Sequence, residues 1–339
     1  VSANLYASAD YDGLELRTMA EACIQLVGFS RMAEALNSGR DVHLALAATI
    51  LKISYEEAEQ RKEAGDKSVD DARQTAKVAN FGFAGGLGAE KFVLFARKAY
   101  KVTLTLDEAK KLKREWLATW PEFVEYFKIH AALALSAGAA GITLTHFFSN
   151  RVRGGASYSA ACNSRFQGLG ADATGNAAFL ISEACYVRPE SPLFGSRMVN
   201  YIHDEFILEC ARERGHDVAH ELVRVMVAGA APYLPHVPAT AKPLLSAYWS
   251  KEAFPLFDAD RRLFPWDHEL GAIVQALPKS KELKPAAHDE GIVLGSDYYE
   301  RAIGKKIVEL KRTRPKAKFK LDGRTIEIVE KDKIERLAA

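Results

Sequence analysis

The sequence predicts an α+β protein. Strand-like runs are short, helical periodicity covers most of the first 230 residues, and one pair of strands flanks a tight polar turn. Local hairpins among many helices favour an antiparallel sheet over the strand–helix alternation of a doubly wound parallel fold. With 339 residues, 48% of them hydrophobic, the chain can form two or three domains with substantial cores, and disorder is excluded for most of its length.

Residues 4–11 read as a strand. From Gly13 to about Leu36 the spacing predicts a helix, with Leu14, Leu16, Met19, Cys23, Leu26 and Val27 on its apolar face. Residues 41–52 form a second helix with Asp41 as N-cap. A charged helix spans 55–65, and another starts at Ser68 and ends among Gly82, Gly85, Gly86 and Gly88. Helices follow over 88–100, 106–117 and 121–137, then a strand over 141–148, a loop or turn over 150–155, and a long helix over 157–185. Residues 198–210 read as two strands about a turn at His203-Asp204, 215–230 as a helix and 239–249 as a last strand. Beyond about 255 the pattern weakens, and residues 279–291 have linker composition.

A net charge of +2 does not by itself name a partner. Residues 301–324, however, hold ten Lys or Arg against Glu309 and Asp322, a stretch that can follow a phosphate backbone or form a solvated surface. The cysteines, Cys23, Cys162, Cys185 and Cys210, are scattered without zinc-ligand spacing, which suits free thiols in a reducing compartment. No apolar run reaches the roughly 18 residues of a membrane span, and the first residues lack the pattern of a signal peptide. The chain opens on Val, and its first chemical motif begins within ten residues, as expected for a piece of a longer polypeptide.

Three segments carry chemistry. Asp10 ends an apolar strand, and Asp204 and Glu205 sit in a turn between apolar strands. If these segments pair side by side, Asp10 and Asp204 converge and can clamp two Mg2+ ions, which need few carboxylates because water and phosphate oxygens complete the shell. Arg73, Lys77 and Phe81 recur every four residues, so one helix face carries them about 6 Å apart along the axis. That face suits a triphosphate, or equally a basic amphipathic helix with a core Phe. His216 and His220 share the same spacing but lack the glutamate and third ligand of a zinc site, and read as a solvated face.

In order, Ala9-Asp-Tyr-Asp-Gly-Leu-Glu-Leu-Arg17, Arg73-Gln-Thr-Ala-Lys-Val-Ala-Asn-Phe-Gly82 and Tyr201-Ile-His-Asp-Glu-Phe-Ile-Leu-Glu209 resemble motifs A, B and C of family A DNA polymerases, the bacterial polymerase I type. The resemblance covers roughly residues 5–255. It implies a palm of antiparallel sheet and helices (1–36 and 141–255), helical fingers (37–140), a linker-like 256–291 and a basic C-terminal module of unknown role (292–339). The thumb is absent, and with the first palm segment and any exonuclease domain would lie upstream of Val1.

The resemblance also implies site roles. Asp10 and Asp204 would hold two Mg2+ ions as catalytic ligands, with the Tyr11 carbonyl and Glu205 assisting. Arg73, Lys77, Phe81 and His43 would bind the incoming dNTP, and Glu15 would exclude a ribose 2′-hydroxyl. Asn163, Gln167 and His203 would meet the primer–template. The implied partners are primer–template DNA and dNTPs, with accessory replication proteins unidentified, in the cytoplasm of a bacterial or phage-infected cell beside the nucleoid. Three positions depart from the pattern. Gly85 replaces a tyrosine that packs with the glutamate, Ser159 an arginine facing the duplex, and Asp12 a serine. Two further readings stay open: a polymerase with relaxed sugar choice, and a fragment that binds DNA without catalysis.

Overall fold

The computed structural model describes residues 4–258 and 261–268, with the backbone of 292–293, 318–321 and 324–327 beyond them. The chain enters as β1 (Asn4–Tyr11) and continues through α1 (Leu14–Val27), α2 (Arg31–Asn37), α3 (Val42–Leu51) and α4 (Tyr55–Glu63). Helices α5 (Lys67–Phe83), α6 (Ala89–Tyr100), α7 (Leu106–Thr119) and α8 (Glu122–Ala137) follow. The hairpin β2 (Ile142–Thr145) and β3 (Val152–Ala156) leads into α9 (Tyr158–Tyr186). Then come β4 (Arg197–Ile202), β5 (Glu205–Ala211), α10 (Gly215–Ala230), β6 (Ala241–Ser246), β7 (Leu256–Phe257) and β8 (Leu263–Phe264).

The architecture is α+β. The principal sheet has the order β4-β5-β1-β6, antiparallel throughout. Side chains alternate across a strand, and β1 uses that period: Leu5, Ala7, Ala9 and Tyr11 enter the core shared with α9 and α10, so Asp10 belongs to the opposite face and stays exposed. The alanines let the helices approach closely. At the α9–α10 crossing, a Cβ on Gly229 would come within 2.5 Å of Ala177 Cα. A second core lies among α1–α3 and α5–α8, where Phe83 stacks on Phe92 at 3.9 Å and Trp116 meets Phe123 at 4.6 Å.

Side-chain caps set several helix starts: Ser30, Asp41, Ser54, Asp66 and Ser157 each accept a backbone N–H of the first turn, and Thr105 and Glu108 form a capping box. Three sequence expectations are corrected. The helix expected from Gly13 to Leu36 is two helices, because Gly28 takes φ 90° and Ser30 caps a new start. Residues 150–155, expected as loop or turn, include most of β3, which pairs along one edge with β2. The stretch from 256 was expected to be linker-like, yet Leu256, Phe257, Leu263 and Trp266 are buried and Trp266 bridges to Ser246. Residues 269–291 and most of the basic module 292–339 lie outside the described residues, apart from short strand segments including Ile292–Val293, which pairs parallel with β7.

All four cysteines are free and buried. Among the described residues no helix is long and apolar enough to cross a membrane.

The crossing at Gly229 yields a stability test. Alanine gains about 1 kcal/mol of helix propensity over glycine, but forcing a methyl into a packed backbone contact costs about 1–3 kcal/mol. At 2.5 Å from a backbone atom the upper end applies. Gly229→Ala is therefore expected to lower unfolding free energy by about 2 kcal/mol in chemical denaturation. Unchanged or raised stability would contradict the close crossing.

Candidate active site

The register of β1 against β5 sets Asp10 opposite Glu205, with Lys242 of β6 on its other side. Asp204 lies in the two-residue turn between Ile202 and Glu205, which pair across the hairpin. His203 holds φ 57° in this turn, an uncommon conformation for a residue with a Cβ though one histidine tolerates better than most. The consequence is electrostatic. Partial burial, then the charge and hydrogen bond of Asp204, then the charges of Glu205 and Asp12, push the Asp10 carboxyl up to about 7. Carboxylates this close cannot both ionise comfortably unless a proton or cation lies between them.

That donor set fits a divalent cation. Among the described residues no three His, Cys, Asp or Glu side chains form a ready metal cage. Mg2+ does not require one, since it keeps waters and takes phosphate oxygens beside one or two carboxylates. The surrounding residues fix the pair. Tyr11 is buried, and its hydroxyl donates to Met226 O at 2.5 Å, anchoring the strand end. Glu205 accepts from Trp249 Nε1 at 3.2 Å. Asp12 is ion-paired to Lys242 at 3.0 Å, and Arg17 donates to its carbonyl and to Pro238 O and Thr240 Oγ1.

Glu15 follows on α1. Gln167 Nε2 donates to Glu15 Oε1 at 2.7 Å, tying α1 to α9. Burial raises the Glu15 carboxyl, Gln167 partly offsets this, and Asp204 adds to the rise. A cavity of about 450 Å³ opens beside this pair, and Gln167, Thr174, Tyr201, His203 and Asp204 contribute to its walls. Asn163 is exposed one turn before Gln167, and a Cβ on Gly85 would meet its Oδ1 at 3.5 Å. No tyrosine stands at Gly85, but Tyr100, at the end of α6, is raised by burial and by the Glu15 charge.

On α5, Lys77 is exposed and Arg73 and Phe81 are half-buried. Arg73 Nε is held by Asp41 Oδ2 at 2.7 Å, so the N-cap of α3 also fixes this guanidinium. His43 is 8% exposed, with its ring 5.7 Å from Phe81. Asn80, fully buried, organises the group. Its Oδ1 accepts from Trp116 Nε1 and Trp120 Nε1, both at 3.0 Å, so its amide nitrogen faces His43 Nδ1 at 2.9 Å. His43 Nδ1 is therefore the acceptor, and the neutral ring carries its proton on Nε2. Burial, followed by Arg73 and Lys77 against the opposing pull of Asp41, lowers His43 to about 4.

The site residues expected from the sequence thus fall into two groups. Asp10, Tyr11, Glu15, Gln167, His203, Asp204 and Glu205 gather on the sheet side, with Asn163 beside Gly85. His43, Arg73, Lys77 and Phe81 gather on the α3–α5 helices. Residues missed from the sequence are the supports: Asn80, Lys242, Trp249 and Tyr201. Only Trp116 and Trp120, four apart on one face, offered a hint of a shared acceptor. His216 and His220 lie 4.5 Å apart, and His216 Nδ1 accepts from Leu263 N, a structural role.

A sequence model described as DNA polymerase family A matches residues 1–251. DNA polymerase I of Aquifex aeolicus is 26% identical over 249 residues, which are 74% of this chain and 40% of that protein. DNA polymerase I of Deinococcus radiodurans is 26% identical over 230 residues, covering 65% of this chain and 21% of the relative. The chain thus spans two fifths or less of these relatives. Among solved structures, the POL domain of Pol1 from M. smegmatis, in complex with DNA primer-template and dNTP, matches 72% of this chain and 40% of its own, with a TM-score of 0.56 and 21% identity. That likeness is one of fold.

His43 sets a pH test of this geometry. Its folded value of about 4 lies below the ordinary 6.5, so between these values the unfolded chain binds more protons. The penalty is absent above pH 6.5 and grows as pH falls toward 4, reaching about 3 kcal/mol at 1.36 kcal/mol per unit. Denaturation at pH 4.5 and 7 is expected to reveal a smaller acid loss in His43→Gln than in the parent. An equal loss in both would contradict the neutral, buried ring.

Proposed function

The chain belongs to DNA polymerase family A, and we propose that it carries the catalytic part of a template-directed DNA polymerase that adds dNTPs to a primer 3′-hydroxyl by two-metal nucleotidyl transfer. The observation that carries this reading is the pairing of β1 with the β4–β5 turn, which brings Asp10 and Asp204 within hydrogen-bonding range and raises Asp10. Residues 1–36 and 141–255 serve as palm and 37–140 as fingers. Residues 279–291 have the composition of a linker, and 292–339 form a basic module of unknown role.

In this reading Asp10 and Asp204, with the Tyr11 carbonyl and Glu205 assisting, hold two Mg2+ ions. Bound there, the ions would lower the pKa of the primer 3′-hydroxyl and stabilise the charge on the leaving pyrophosphate. The remaining work belongs to the chain's own groups. Lys77 and Arg73 bind the triphosphate oxygens, Arg73 exchanging its Asp41 partner for phosphate, and His43 Nε2–H faces the same anion as a donor. Phe81 packs against the base or sugar of the dNTP. Asn163, Gln167 and His203 orient the primer–template. The protein works in the cytoplasm at the nucleoid, with primer–template DNA and dNTPs as partners.

Asp10→Ala and Asp204→Ala in the full-length protein are each expected to reduce Mg2+-dependent primer extension by at least about 10³-fold, the scale of removing transition-state charge stabilisation. Undiminished extension by either variant would sink the metal assignment. DNA binding without extension by the unmodified protein would support the binding-only reading.

Sugar choice has a competing reading, because Gly85 removes the tyrosine expected to support Glu15. The Gln167 hydrogen bond supplies a different support and favours deoxynucleotides. Glu15→Ala is therefore expected to raise ribonucleotide over deoxynucleotide incorporation by about tenfold or more, the reach of one steric and desolvation contact. Equal use of both sugars by the unmodified protein would favour the relaxed-sugar reading.

A further inference from the structure

The cavity beside Glu15 has an aromatic wall to which the polymerase reading assigns no role. Tyr201 lies in β4, two residues before His203. Its ring is parallel to that of Phe206, with centroids 4.6 Å apart and 7° between the planes, and Phe206 is fully buried. Its hydroxyl donates to Thr174 Oγ1 at 2.5 Å, and Thr174 is itself buried and bonded to Gly170 O within α9. The ring is thus fixed from behind by the sheet core and at its tip by the long helix. It is nevertheless 42% exposed and lines the cavity. A large aromatic held this firmly at a cavity edge presents a rigid contact surface at little entropic cost.

The surroundings identify the occupant. At about 450 Å³ the cavity holds one nucleoside-sized group, and its lining includes Asp204, His203 and Gln167, the last two assigned above to the primer–template, together with Glu15, assigned to the incoming sugar that must lie next to the primer terminus. None of Arg73, Lys77 or Phe81 lines it, so the triphosphate end of an incoming nucleotide belongs elsewhere. We infer that Tyr201 is a specificity-determining residue, a fixed wall against which the primer's 3′-terminal nucleotide packs, so that a mispaired and therefore displaced terminus is disfavoured. This rests on the polymerase reading. A wall that cannot shift discriminates by displacement, because small misplacements of reacting groups lower rates steeply. The Thr174 hydroxyl contributes by keeping the wall from swinging.

The test is single-turnover extension by the full-length protein from matched and mismatched primer termini, with melting midpoints recorded for each variant. Tyr201→Phe keeps the ring on Phe206 and removes only the tip bond, while Thr174→Val removes its acceptor. Each is expected to lower the matched-to-mismatched ratio of kcat/KM by a similar factor, about threefold, with the double variant no worse than either single. Tyr201→Ala is expected to lower the ratio by about tenfold, with KM for the dNTP on matched primer within about twofold of the parent. A merely structural role would reduce extension from both termini together and leave the ratio unchanged. An unchanged ratio in Tyr201→Phe and Thr174→Val at parental melting midpoints overturns the inference, whether or not Tyr201→Ala folds. Absence of extension by the unmodified protein would instead overturn the polymerase reading and the inference with it.

Discussion

Pairing of β1 with β5 is the constraint on which the rest of the candidate site depends. It sets Asp10 opposite Glu205 and therefore beside the turn that carries Asp204. Because the strand period is two, the register that buries Leu5, Ala7 and Ala9 against α9 and α10 is the same one that turns Asp10 toward the cleft. A one-residue slip would bury the carboxylate and expose the alanine face. The hydrophobic core thus enforces the position of a charged group that it does not itself stabilise. The electrostatic cost appears in Asp10, raised to about 7 first by partial burial and then by its crowding with Asp204, Glu205 and Asp12. On the proposed reading, divalent cations offset that crowding during nucleotidyl transfer.

The helical lobe is organised differently, by one buried amide. Asn80 accepts two indole N–H groups and donates to His43, so α3, α5 and α7 are tied at one point together with the Trp120 cap. Asp41 joins the same arrangement from the surface, capping α3 while holding Arg73. Such networks are demanding when any member is left unpaired. The proposed triphosphate face therefore rests on helices whose mutual placement is set by hydrogen bonds rather than by apolar packing alone.

Much of this was legible in the sequence. The alternation of β1, the Asp41 cap and the apolar strands about His203-Asp204 are local signals, and the elements formed within a few residues of their expected bounds. What could not be read was long-range or supported by a partner. Val152-Arg-Gly-Gly-Ala156 looks like a loop because its glycines lower strand propensity, yet it pairs with β2 as a strand. Leu256, Phe257, Leu263 and Trp266 are too sparse to announce a packed segment, although all four are buried, Phe257 and Leu263 in the core shared with the sheet and α10. The Glu15–Gln167 bond joins residues 152 apart, and Arg73–Asp41 residues 32 apart, separations at which no spacing rule operates. The sequence could nominate charges, but only the fold could pair them.

On the proposed reading, Asp10 and Asp204 act as one carboxylate pair toward a divalent cation. The most direct measurement is a Mg2+ titration of protein carrying carboxyl-13C aspartate, with each resonance assigned by substitution. The Asp10 and Asp204 signals are expected to move together, with one shared Mg2+ midpoint, and replacing either aspartate by Asn is expected to remove the response of the other at that midpoint. Independent responses, or a response from only one of the two, would contradict it.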